Sequence, residues 1–271
     1  MISSDLRWGI GLHFLRFAVC KAHSEETVLA KSEVSGFVDI HTHILPGIDD
    51  GAKSMDEAMQ MLRMAWEDGT RMLILTPHYR GRFKETTPEK LREAYAALCR
   101  TAQQELPKLR LFLGSEVFYE EDAPQALEAG RILTLADSDF VLLEFRSGAF
   151  RSQILSAVSE VIRYGYTPIL AHIDRYNAFL SDDTLIDEVL DMGAQVQLNA
   201  NSVMGENGFK VKRFCHALLR CEKIQFIASD AHDTKHRPPR LQACYLRVRD
   251  KYGSDYAQQV FCYNTRAILE K

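Results

Sequence analysis

The chain has 271 residues, 46% of them hydrophobic, and a formal net charge of -4. That length buries a sizeable core as one large domain or two smaller ones. The interspersed charges leave no basic footprint of the kind duplex-binding proteins carry, so nucleic acid is a poor partner.

Residues 1–36 read as an amino-terminal extension. Trp8 to Val19 is apolar-rich but preceded by Arg7 and broken by His13 and Arg16, and it is too short to span a bilayer. A basic start, clean apolar run and small-residue cleavage site are missing, so a secretory signal is not expected.

From Phe37 the pattern alternates. Apolar, β-type runs fall at Phe37–His41, Met72–Thr76, Leu109–Leu113, Phe140–Phe145, Pro168–Ala171, Gln195–Leu198 and Ile224–Ala228. Helical stretches separate them at Asp56–Asp68, Pro88–Gln104, Ala123–Ala129, Gln153–Tyr164, Asp183–Met192 and Lys210–Arg220, with Leu241–Tyr252 and Asp255–Tyr263 closing the chain. Ser54 to Glu57 fits a capping box, and Thr87-Pro88 fits an N-cap followed by proline at the first helical position. Gly69, Gly165 and Gly193 each stand where a helix must stop before the next strand. Seven successive βα units predict a parallel sheet. With no compositional break midway, a single α/β barrel over residues 37–271 is expected. The doubly wound open sheet is the alternative, and it lacks its glycine-rich dinucleotide turn after the first strand.

The six cysteines (Cys20, Cys99, Cys215, Cys221, Cys244, Cys262) show neither CxxC pairs nor zinc-finger spacing. They read as small buried hydrophobes of a reducing, cytoplasmic protein. A cysteine nucleophile with an arginine six positions on, as phosphate loops require, is absent; Cys215 comes nearest, with Arg220 five positions away.

In such barrels chemistry gathers at the C-terminal ends of the strands. The first strand runs into His41 and His43, with Asp50 in its loop; residues two apart on a strand point the same way. The second leads to Thr76-Pro77-His78, and the third to Gly114-Ser115-Glu116. The fourth carries Glu144 inside Leu142-Leu143-Glu144-Phe145, where an unpaired carboxylate would be costly to desolvate. The fifth ends in His172, Asp174 and Arg175, and the seventh in Ser229-Asp230-Ala231-His232, then His236 and Arg237. Read singly, each is a polar loop residue or a salt-bridged acid. Together they make nine ligands, five imidazoles and four carboxylates, which is too many for one tetrahedral ion and suits two or three metals with bridging carboxylates. His216, inside a helix, reads as a packing or surface histidine.

The combination Asp-Ile-His-Thr-His with Asp-Asp-Gly, Thr-Pro-His, Gly-Ser-Glu, Leu-Glu-Phe, Ala-His-Ile-Asp-Arg-Tyr and Ala-Ser-Asp-Ala-His resembles the polymerase-and-histidinol-phosphatase (PHP) superfamily. Within it, the chain is most similar to the bacterial manganese-dependent protein-tyrosine phosphatases of capsule and exopolysaccharide loci. The resemblance implies a distorted (β/α)7 TIM-like barrel holding three metal ions, Mn with Fe or Zn as alternatives. His41, His43, Asp50, His78, Glu116, Glu144, His172, Asp230 and His232 would be the ligands, Glu116 and Glu144 the bridging ones, and Arg175 and Arg237 the phosphate contacts. It implies hydrolysis of phosphotyrosine by a metal-bridging water with no covalent phosphoenzyme, and as substrate the tyrosine-rich tail of a cytoplasmic kinase of polysaccharide assembly. A small-molecule phosphatase such as a histidinol phosphatase, a PHP-type exonuclease and a non-catalytic metal-binding module are the rivals. Tyr79, Arg80, Arg82 and Phe83 are candidates to line the entrance.

Overall fold

In the computed structural model, residues 36–80, 86–182 and 184–269 are described. The extension before Gly36, with Cys20, His13 and His23, lies outside them, as do Arg82 and Phe83.

Nine parallel strand segments succeed one another: β1 (Phe37–Thr42), β2 (Thr70–Leu75), β3 (His78–Tyr79), β4 (Arg110–Leu113), β5 (Glu116–Phe118), β6 (Phe140–Glu144), β7 (Thr167–Leu170), β8 (Gln195–Asn199) and β9 (Phe226–Ala228). They form a sheet β1-β2-β4 and a sheet β3-β5-β6-β7-β8-β9. The division comes from two short breaks. Thr76-Pro77 separates β2 from β3, and Gly114-Ser115 separates β4 from β5. Proline cannot donate to a ladder, yet its carbonyl still accepts from the Glu116 amide at 3.1 Å, and Leu75 O accepts from Gly114 N at 2.9 Å. At the other end β9 returns to β1: Thr42 bridges Ala231 in parallel, and Ala231 O accepts the His43 amide at 2.8 Å while His41 O accepts that of Asp230 at 3.0 Å.

The seven expected strands are therefore present to within a few residues, and the helices between them fall where the periodicity puts them. Ser54 caps the helix Met55–Glu67, accepting from Glu57 N at 3.2 Å while the Glu57 carboxylate accepts from Lys53 N at 2.8 Å. The last helix differs. It runs Ser254–Gln258, widens into a π-helical turn at Gln259–Tyr263 and resumes over Asn264–Leu269, so that Val260, Phe261 and Cys262 all reach the core. Short helices at Asn177–Ser181 and Ala200–Met204 carry too few turns to show a period in sequence.

Alternation along the strands sorts the apolar side chains into two sets. Leu73 and Leu75, or Val141 and Leu143, pack outward on helices. Ile40, Ile74, Phe112, Leu142, Ile169 and Phe226 meet one another within the sheet. This second set is an apolar floor, and the polar residues that follow it on the same strands and in the turns beyond them stand above it. No helix among the described residues is long and apolar enough to cross a membrane.

Candidate metal centre

The nine side chains singled out above converge above that floor. His41, His43, His78, Glu116, Glu144, His172, Asp230 and His232 are all buried, while the Asp50 side chain is 47% exposed. Their ligand atoms fall into four overlapping groups: His43, Asp50, His78 and His232; His41, His43 and Glu116; His41, His172 and Asp230; and His78, Glu116 and Glu144.

Glu116 is the hub. Its Oε1 lies 2.8 Å from His172 Nε2 and 3.2 Å from His41 Nε2, and its Oε2 lies 2.8 Å from His78 Nδ1 and 3.3 Å from His43 Nε2. Each oxygen thus faces its own pair of imidazoles. Asp230 Oδ1 is 3.4 Å from His41 Nε2 and 3.6 Å from His43 Nε2, and Asp50 Oδ1 is 3.2 Å from His78 Nε2 and 3.6 Å from His232 Nε2. With metal–ligand bonds of about 2.0–2.2 Å, neighbouring donors on one ion stand roughly 2.9–3.5 Å apart. Four of the eight spacings fall in that interval, and the other four, at 2.8 and 3.6 Å, lie just outside it. The two imidazole nitrogens of His41 and His43, 3.2 Å apart, add little attraction to each other but share a cation well.

The strand ends supply this geometry with some strain. His172 and Asp230 hold positive φ, 34° and 54°, in a left-handed region that non-glycine residues seldom occupy. Gly51 lets the acidic turn fold over His43: a Cβ there would come 1.8 Å from the His43 carbonyl oxygen.

Supporting residues surround these ligands, and three of them, Asp49, Gln197 and Asn199, were given no role from the sequence. Asp49, rather than its neighbour Asp50, orients His43, with Oδ2 2.7 Å from Nδ1; the same oxygen accepts from His78 N at 3.0 Å. Gln197 Oε1 lies 3.2 Å from His41 Nδ1 and accepts the His172 amide at 2.8 Å. Asn199 donates to Asp230 Oδ2 at 2.8 Å. Such outer contacts fix ring orientation and leave the opposite nitrogen facing the centre. The signal was available in β8, whose Gln195, Gln197 and Asn199 alternate with apolar residues. Arg80 donates to both oxygens of Glu144 at 3.1 and 3.0 Å, and its Nη2 lies 2.9 Å from His78 Nε2. Arg175 Nη2 lies 2.7 Å from Asp230 Oδ2, and Arg237 pairs with the same oxygen. Asp174 is buried and structural, accepting from Asn199 N at 3.0 Å and Ser202 Oγ at 2.6 Å. His216 is apart from the site, its Nδ1 2.6 Å from Tyr252 Oη.

The charge balance fits cations. Burial disfavours a charged His43, but the Asp49 and Glu116 carboxylates override it and raise its pKa to about 10. His78 is likewise desolvated, yet Glu116 and Asp50 raise it to about 9. Glu116 and Asp230 resist desolvation because imidazoles and, for Asp230, the two guanidiniums hold them far below the usual carboxylate range. Without metal, then, protons on His43 and His78 supply the positive charge the carboxylates require. Both values exceed the free value of about 6.5, so the stability from these protons is complete below about pH 6.5 and is lost as pH rises through about 9 to 10. Cation binding near pH 7.5 is expected to release about two protons per chain. Calorimetric titrations with Mn in buffers of different ionisation enthalpy measure that number; a value near zero would contradict the balance.

The capsular polysaccharide synthesis family CpsB/CapC matches residues 37–270. Tyrosine-protein phosphatase CpsB of Streptococcus pneumoniae is 33% identical over 237 residues, covering 86% of this chain and 98% of its own length. Tyrosine-protein phosphatase YwqE of Bacillus subtilis (strain 168) is 30% identical over 218 residues, 80% of this chain and 86% of its own. In a crystallographic study of YwqE from Bacillus subtilis and CpsB from Streptococcus pneumoniae, described as unique metal-dependent tyrosine phosphatases, one chain superposes with a TM-score of 0.80 at 29% identity, covering 86% of this chain and 94% of that one. The lactonase Lmo2620 from Listeria monocytogenes shares the fold alone, with a TM-score of 0.58 at 11% identity over 88% of this chain and 96% of its own.

Proposed function

The chain belongs to the CpsB/CapC family of capsular polysaccharide synthesis, and from that premise we propose that it is a metal-dependent protein-tyrosine phosphatase acting in the cytoplasm on a tyrosine kinase of capsule or exopolysaccharide assembly. Residues 37–271 form the catalytic domain in this reading, a distorted (β/α)7 barrel of the PHP type, with residues 1–36 as an extension. The observation that carries it is Glu116, whose two oxygens face separate imidazole pairs, as a carboxylate bridging two ions must.

His41, His43, Asp50, His78, Glu116, Glu144, His172, Asp230 and His232 would hold three ions, Mn in this reading with Fe or Zn as alternatives. Bound there, the ions supply Lewis acidity to phosphoryl oxygens and lower the pKa of an attacking water. The chain's own groups do the rest. Arg175 and Arg237 converge on Asp230 Oδ2, which aims two planar guanidiniums at one place and presents a fork that matches phosphate. Asp230 remains ionised at working pH, so it accepts from these arginines and gives up no proton. Phenolate leaves with a conjugate-acid pKa of about 10, which asks less of an acid than an alkyl alcohol does.

A phosphotyrosine peptide incubated with the protein is expected to release inorganic phosphate. EDTA abolishes that release and Mn restores it. Faster turnover of histidinol phosphate would move the assignment to a small-molecule phosphatase, degradation of single-stranded DNA would move it to an exonuclease, and failure on every phosphomonoester would end it.

A further inference from the structure

Beside the metal centre, a cavity of about 280 Å³ opens between the loop after β9 and the short helix Ala200–Met204. Arg237 lines it while pairing with Asp230, so the cavity and the proposed phosphate position share a wall. Its remaining cations are Lys235 and Arg240, with His236 between them in sequence, against one acid, Glu206. Like charges gathered at one mouth repel one another unless something compensates them.

Here the backbone enforces the gathering. Asp233 Oδ1 accepts from the amides of Lys235 at 2.6 Å, His236 at 2.5 Å and Arg237 at 3.3 Å. The Arg237 carbonyl accepts from His232 N at 2.9 Å and Asp233 N at 3.3 Å, and Pro238-Pro239 stiffens the loop up to Arg240. One oxygen of the Asp233 carboxylate is thus occupied by three backbone amides. Among the described residues, neither Lys235 nor Arg240 has an ion-pair partner, and both are exposed.

We propose that this cavity is a second anion site, receiving a negatively charged group, carboxylate or phosphate, carried by the substrate chain beside its phosphotyrosine. The inference rests on the phosphatase reading above and adds the sequence context the enzyme selects. A protein substrate lying over the rim must place neighbouring residues somewhere, and successive residues of an extended chain advance about 3.3 Å each. Arg237 lines the cavity and pairs with Asp230, so residues flanking a phosphotyrosine held by Arg237 lie beside it. Solvent-facing cations there act on association and on salt dependence more than on the chemical step.

The test uses fluorescent peptides bearing a non-hydrolysable phosphonate analogue of phosphotyrosine, bound to the metal-loaded protein. One has neutral flanks, one has flanking glutamates and one has a second phosphonate. A second negative group is expected to tighten Kd about tenfold at low salt, a preference that shrinks in about 0.5 M NaCl. The double variant Lys235→Gln, Arg240→Gln is expected to lose the preference while binding the neutral-flank peptide as before. Tightening by glutamate assigns the site to carboxylates; tightening by the second phosphonate alone assigns it to phosphate. Equal binding of all three peptides by the native protein, or a preference that survives in the double variant, overturns the proposal. Failure of the phosphatase reading would look different: no turnover of the hydrolysable peptides, with the binding preference intact.

Discussion

Glu116→Gln is expected to lower turnover of a phosphotyrosine peptide by about three orders of magnitude or more, the scale of several kcal/mol of lost charge stabilisation. The same substitution is expected to lower bound metal by at least one ion per chain. The reason is the division of labour between the two oxygens. Oε1 serves His41 and His172, and Oε2 serves His78 and His43. A carboxamide keeps one acceptor and turns the other into a donor, which repels a cation. It also removes the charge that raises His78 and helps to raise His43, so the variant holds fewer protons there when metal is absent. Elemental analysis beside steady-state kinetics reads both effects, with circular dichroism confirming that the fold persists. Full metal content and a rate within about tenfold of the native enzyme would remove Glu116 from the centre of the site.

The sequence revealed the strand ends because ionisable residues there break apolar runs. His41, Glu144, His172 and Asp230 each stand at or near the end of a buried, mostly hydrophobic stretch, and such a boundary is visible without coordinates. What lay hidden were second strand segments two or three residues long. His78 and Glu116 read as loop residues after β2 and β4, but the backbone resumes its ladder beyond each break and pairs them directly with each other. Two residues are too few for a period-2 pattern to register. The orienting groups were hidden for a different reason. Asp49 and Asp50 are adjacent and chemically alike, and only the fold of the turn buries one against His43 and leaves the other half exposed. Gln197 and Asn199 carry no charge, so a search for metal-ligating types passes over them. Arg80 was within reach of a sequence reading as an entrance residue; its contact with Glu144 comes from β3 placing it beside the ends of β5 and β6.

Arg175→Met and Arg237→Met are each expected to reduce kcat/KM by about a hundredfold, in the range of a lost charge-assisted contact to a developing oxyanion. Both guanidiniums meet at Asp230 Oδ2, which Asn199 also serves, so removing one leaves a cation and an amide on the carboxylate. Asp230 therefore stays ionised and keeps Oδ1 toward His41 and His43, and metal content is expected to hold. That separates these variants from Glu116→Gln, which loses metal and rate together. Competitive inhibition by inorganic phosphate is expected to weaken about tenfold in each, because the role proposed for the arginines is on the phosphate itself. Lysine in either position restores charge without the planar fork, and partial recovery of rate with weak phosphate inhibition would separate geometry from charge. An unchanged inhibition constant in both methionine variants would mean that the guanidiniums serve only to hold Asp230, and that the phosphate is gripped by metal alone.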